Sequence, residues 1–177
     1  MNYKIEKLNN GIRLVHQFTD SPIAYCGLIV NTGSRDENEN EHGLAHFIEH
    51  AVFKGTEKRR SYHILNRLES VGGDINAYTT KEETCIYTAF LANQYERSIE
   101  LMADMMFNSN FPVSEIEKEK DVIIDEINSY KDNPSELIFD EFEDLVFKNR
   151  SLGRNILGDP QKIKSYTREH LLNFRKS

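Results

Sequence analysis

The run His42-Gly43-Leu44-Ala45-His46-Phe47-Ile48-Glu49-His50-Ala51-Val52-Phe53-Lys54-Gly55-Thr56 is apolar almost all the way round a helix, yet it carries three ionisable side chains close together. Read as a helix over residues 42–54, it sends Leu44, Ala45, Phe47, Ile48, Ala51, Val52 and Phe53 in most directions, as a helix buried on nearly every side does. Positions i and i+4 lie one turn apart on the same face, and i+3 sits beside them. His46 and His50 therefore present two imidazoles to one point, with the Glu49 carboxylate next to it. Three such groups in so apolar a surround need partners. Two core histidines with ordinary hydrogen bonds are the plain alternative. A single metal ion would serve all three groups at once, with the imidazoles ligating and the carboxylate adjacent.

Working outward from this helix gives the fold class. Residues 3–8 alternate as a strand, Asn9-Asn10-Gly11 signals a hairpin, and Ile12 to Phe18 reads as the second strand. Ile23 to Val30 is more continuously apolar, which predicts a central strand. Residues 33–41 are a polar, charged loop. After the histidine helix come a helix over 61–70, stopped by Gly72-Gly73, and two neighbouring strands over 74–80 and 84–91. Further helices are predicted near 94–108, 114–132, 135–148 and 167–175, with Pro112 and Pro134 marking two starts. The order strands, helix pair, strands, helices predicts an α+β fold with a mostly antiparallel mixed sheet and helices packed on one face, not a doubly wound α/β fold. No repeat and no Pro-rich linker divides the chain, so residues 1–177 read as one domain.

A third ligand is expected, because catalytic zinc usually has three protein ligands and a water. On a wheel of about 100° per residue, Ile116, Ile123 and Tyr130 form one stripe, and Glu119 and Glu126 interrupt its edge. Alone, such glutamates read as side chains snorkelling to water. Beside a helix with two imidazoles they read as carboxylates facing a cation, where burial is compensated.

Composition narrows the classes. The chain has 38% hydrophobic and 29% charged residues, as soluble folded chains do, and a formal net charge of −7. That acidity argues against nucleic acid or anionic lipid as a partner. No apolar run approaches the roughly 18–20 residues of a membrane span, and Met1-Asn2-Tyr3-Lys4-Ile5-Glu6 lacks the apolar core of a signal peptide, so a cytoplasmic location is expected. Cys26 and Cys85 sit in apolar strand contexts and read as two free buried thiols; they lack the spacing of a structural zinc site. His42 reads as a surface histidine at the start of the helix, and His16, His63 and His170 have no assigned role.

The histidine run, His-x-x-Glu-His in pattern, resembles the signature of the M16 (pitrilysin-like, inverzincin) zinc metallopeptidases. The likeness extends to Gly72-Gly73-Asp74-Ile75-Asn76-Ala77-Tyr78-Thr79-Thr80, to the pair Glu119 and Glu126, and to Leu152-Gly153-Arg154-Asn155-Ile156-Leu157-Gly158. Glu126 follows His50 by 76 residues, which is similar to the family's spacing to its third ligand. The resemblance implies Zn²⁺ held by His46, His50 and Glu126, with Glu49 as general base. It implies Glu119 as a supporting carboxylate that holds His50 or the helix pair. It also implies that Asn76 and Ala77 lie on an edge strand where a peptide or unfolded polypeptide adds as a further strand. The implied function is zinc-dependent endopeptidase, in the metal-bearing N-terminal domain. Family members pair this domain with a companion M16 domain, on the same chain or a partner chain, so the sequence reads as a piece truncated before the domain's last strands. The alternative is a zinc- and peptide-binding domain with little turnover in the companion's absence.

Overall fold

A computed structural model of the chain describes residues 3–176; Met1, Asn2 and Ser177, part of the 1–177 domain reading, lie outside the described residues. Strands β1 (Tyr3–Lys7) and β2 (Arg13–Gln17) form an antiparallel hairpin. Its turn is closed by Leu8 N–H donating to the Ile12 carbonyl at 2.8 Å, with Gly11 at φ +92° as the hairpin signal requires. This hairpin is a two-stranded sheet of its own.

The main sheet holds β3 (Ile23–Val30), β4 (Asp74–Thr79) and β5 (Thr84–Leu91) in the order β3-β5-β4, with both pairings antiparallel. The expected central place of Ile23 to Val30 is therefore corrected: β5 is central and β3 is an edge. The apolar run misled because β3 buries only alternate residues. Ala24 is buried, whereas Ile23, Tyr25 and Ile29 are exposed. Their neighbours on that face, Tyr87 and Leu91 of β5, are exposed too. The opposite face, with Ala24, Ile75, Ile86 and Phe90, is buried under the helices. One covered and one open face is the arrangement antiparallel sheets tolerate.

The helices are α1 (Leu44–Ala51), α2 (Ser61–Glu69), α3 (Tyr95–Asn108), α4 (Val113–Lys131), α5 (Pro134–Val146), α6 (Pro160–Ser165) and α7 (Arg168–Lys176). Of these, α1 lies deepest. It packs against β4, α4 and α7, and it buries Leu44, Ala45, His46, Phe47 and Ala51. Fully burying a side chain such as Phe47 contributes roughly 1.5–3 kcal/mol, and its neighbours include the buried ring of Tyr166, centroid to centroid 6.4 Å. Helix α6 is absent from the sequence reading, although its signal was present. Asp159 accepts from the N–H groups of Gln161 and Lys162, and Pro160 opens the helix.

The exit of α1 is tied down by a buried carboxylate. Asp104 on α3 accepts from Thr56 Oγ1 at 2.8 Å, from Asn108 Nδ2 at 2.9 Å and from the Arg59 guanidinium, which also reaches Glu100. Burial works to raise the Asp104 pKa, but these donors outweigh it and hold the group below the usual carboxylate range. A carboxyl depressed on folding contributes stability that is present above its unfolded pKa and is lost as pH falls through the folded value. Asp104→Asn should therefore cost about 2–4 kcal/mol near neutral pH. Denaturant titrations of both proteins from pH 7 down to pH 2 should show the gap closing below about pH 4.

Candidate metal centre

Helix α1 carries His46 and His50 one turn apart, and their rings meet edge to face with centroids 4.6 Å apart. The two Nε2 atoms are 3.2 Å from each other. Helix α4 crosses α1 and brings Glu126 opposite, with Oε2 3.3 Å from His50 Nε2 and Oε1 3.7 Å from His46 Nε2. His46, His50 and Glu126 form the one group of three metal-ligand side chains found among the described residues, their ligand atoms all within 4.8 Å of one another. A tetrahedral zinc with bonds of about 2.0–2.1 Å has ligand-to-ligand edges of about 3.3 Å, and the separations here, 3.2 Å between the imidazoles and 3.3 and 3.7 Å to the two Glu126 oxygens, are near that length. The donor set of two imidazoles and a carboxylate suits zinc by its chemistry. His46 is buried, while the Glu126 side chain is 44% exposed, so the cluster opens toward solvent on the Glu126 side. Sequence periodicity had set Glu126 at the edge of the inward stripe; in the structure it faces this opening and Ile123 and Ile127 take the core.

The electrostatics separate the two imidazoles. Burial and the neighbouring His50 push the His46 pKa down, with Glu126 pulling against them. Burial also works to lower His50, but its hydrogen bonds to Glu119 and Glu126 outweigh it and raise the group to about 9. Glu126 is held below the usual carboxylate range, chiefly by its hydrogen bond to His50. A metal ion bound by these residues would have to displace the Nε2 proton of His50, so its binding would compete with protonation.

Glu119 is buried on α4 and bridges two parts of the α1 segment. One oxygen lies 2.8 Å from His50 Nδ1 and the other 2.6 Å from Lys54 Nζ. With Nδ1–H donated to Glu119, Nε2 is the His50 nitrogen that faces His46 and Glu126, and it is the one that could ligate once its own proton is lost. His46 Nδ1 is buried with no hydrogen-bond partner among the described residues. Glu49 lies on the flank of α1 toward β4. Burial raises its pKa, while the Thr79 hydroxyl and backbone hold its carboxylate and pull the other way. Asn76 and Ala77 are on β4, one of the two edge strands of the sheet, and the Asn76 side-chain oxygen accepts the Ala77 N–H at 2.8 Å.

Three residues escaped the sequence reading. Lys54 follows His50 by four positions and was visible in the same motif. Thr79 closes β4 and carried no local signal. Glu37, in the run read as a solvated loop, is buried and points at the start of α1. His42 also differs from expectation. It is half-buried, donates from Nε2 to the Asn155 carbonyl at 2.9 Å, and has its pKa lowered, chiefly by burial. His16, His63 and His170 are exposed, and both cysteines are free.

The profile described as Insulinase (Peptidase family M16) matches residues 14–160. The chain belongs to peptidase family M16. Among curated M16 relatives, it is 39% identical over 174 residues to an uncharacterized zinc protease of Rickettsia bellii, covering 98% of this chain and 42% of that protein. It is 38% identical over 173 residues to the mitochondrial-processing peptidase subunit beta of Bos taurus, covering 97% and 35% respectively. A solved protease from Helicobacter pylori superposes with a TM-score of 0.92 at 21% identity, over 98% of this chain and 42% of that one, a likeness of fold. The chain thus spans less than half the length of the M16 relatives it matches.

The double grip of Glu119 yields a prediction. Replacing a carboxylate behind a metal-ligating histidine typically costs 10–100-fold in metal affinity. Glu119→Gln should weaken zinc binding by that order in a chelator-competition titration, with the fold retained by circular dichroism.

Proposed function

We propose that the chain is the metal-bearing catalytic domain of a zinc-dependent endopeptidase acting on unfolded peptides. The carrying observation is the meeting of His46, His50 and Glu126 within 4.8 Å, with Glu49 on the same short helix. In this reading His46, His50 and Glu126 hold the ion. Bound there, zinc supplies Lewis acidity toward water and the scissile carbonyl. Glu49, half-buried and steadied by Thr79, takes the proton of the attacking water and later hands it to the leaving amine. A raised carboxyl pKa suits a group that must both accept and return a proton near neutrality. Glu119 keeps His50 in the tautomer that offers Nε2.

The free edge of β4 supports a substrate bound as an added strand alongside Asn76 and Ala77. Main-chain pairing of that kind gives affinity with little demand on sequence, which fits unfolded polypeptide as the substrate class. The names of the relatives, a zinc protease and a processing peptidase subunit, favour the same chemistry.

A second reading rests on the open side of the cluster. With Glu126 44% exposed, no side chain of this chain caps the ion from that direction among the described residues, and donors for a developing oxyanion have to come from elsewhere. A companion M16 domain is the proposed source. On this reading the chain alone binds zinc and peptide but turns over little, and the domain is one half of a two-domain unit.

General-base catalysis contributes about 10²–10⁴ in rate. Glu49→Gln should lower peptide hydrolysis by at least that order while zinc content stays at one per chain, measured by peptide cleavage and by metal analysis in parallel. Retained hydrolysis would remove Glu49 from the mechanism.

A further inference from the structure

Helix α1 has a problem at its beginning. The first N–H groups of a helix lack intrahelical acceptors. The residue at the cap position is Gly43, which has no side chain and adopts φ +96°. An added Cβ there would lie 2.8 Å from the Gly158 Cα, and one on Gly158 would lie 2.6 Å from the Gly43 Cα, so neither position admits a capping residue. The acceptor comes instead from six residues upstream. Glu37 Oε2 accepts the Gly43 N–H at 2.9 Å and Oε1 accepts the Ala45 N–H at 2.8 Å. The Glu37 residue is 3% exposed. Each carboxylate oxygen therefore takes one N–H, and the second of these belongs to the residue directly before His46.

Glu37 is itself held from behind. The Arg154 guanidinium donates to the backbone carbonyls of Glu37 and Asn38. The Tyr166 hydroxyl donates to the His42 carbonyl at 2.9 Å, and His42 reaches Asn155. The far end of α1 is fixed by Glu119, which links His50 to Lys54. An eight-residue helix with both ends anchored leaves its two imidazoles little room to shift.

We infer that Glu37 is a positioning residue for the metal centre: its two-pronged cap sets the rotation of α1 and so the placing of His46 against His50 and Glu126. This rests on the metal-centre reading above. A negative group is also favoured at a helix N-terminus by the aligned peptide dipoles. Glutamine fills the same volume but offers one acceptor and one N–H₂ donor. In Glu37→Gln, one of the two backbone N–H groups faces another donor, and the first turn has to rotate to relieve it.

The test is a chelator-competition titration with zinc ion at pH 8 on the full chain, comparing wild type, Glu37→Gln, Glu37→Asp and Ser98→Ala. Ser98→Ala removes the buried Ser98–Thr88 hydrogen bond of 2.7 Å and so weakens the fold away from α1. Burial lifts the Glu37 carboxyl to about 7 against the pull of its N–H donors, so pH 8 keeps it ionised. The expected result is zinc affinity about tenfold weaker for Glu37→Gln, and weaker for Glu37→Asp, whose shorter reach cannot span both N–H groups. Ser98→Ala should bind as wild type does. Wild-type affinity in Glu37→Gln or, should that variant fail to fold, in Glu37→Asp would overturn the inference while leaving the metal-centre reading intact. So would an equal loss in Ser98→Ala, which would trace the effect to general stability. Loss of fold in both Glu37 variants would overturn it as well, since the role would then belong to the whole fold. Failure of the wild type to bind zinc would overturn both readings together.

Discussion

The packing of α4 across α1 is the contact on which the rest depends. It places the Glu126 carboxylate within 3.3–3.7 Å of two imidazole nitrogens that helical geometry had already brought together. The two imidazole nitrogens at 3.2 Å are within hydrogen-bond distance, and the facing Glu126 carboxylate compensates positive charge placed between them. The second carboxylate of the same helix, Glu119, compensates from behind, and Lys54 compensates Glu119 in turn. The result is a chain of alternating charge running through the helix pair. Each member is stable in its place because of the next.

The same constraint explains the location of the weak side. Behind the cluster lies the hydrophobic core, with Phe47, Ile116, Ile123 and Ile127 all buried. The Glu126 side is open, and the free edge of β4 runs past Glu49 through Thr79. The chain spans less than half the length of these M16 relatives.

Much of the site was legible because its members are local. His46, Glu49 and His50 are neighbours on one helical face, and Glu119 and Glu126 lie seven residues apart on another helix, whereas Lys54, four residues after His50, went unassigned. The helix and strand boundaries were also close, since Gly72-Gly73, Pro112 and Pro134 act locally. The order of strands was not legible. An apolar run such as Ile23 to Val30 looks the same whether a strand is central or an edge with one open apolar face. Glu37 was hidden for a related reason: in the polar run from Arg35 to Glu41 it is one acid among several, and only the fold buries it.

By itself, then, the sequence determined the family and the helical registers, because motif order and periodicity are written along the chain, and its resemblance to that family named the side chains expected to share a cation. The tertiary structure shows Glu126 meeting the imidazoles with Glu119 behind His50, and it decided which strands lie at the sheet's edges and which acid caps a helix whose own cap is a glycine. Whereas the Glu37 cap spans only six to eight residues and needs the surrounding fold to bury it, several of those outcomes depend on contacts between distant segments, such as His50 with Glu119 and His42 with Tyr166, 69 and 124 residues apart. At that separation, close packing of whole elements, not local preference, sets who touches whom.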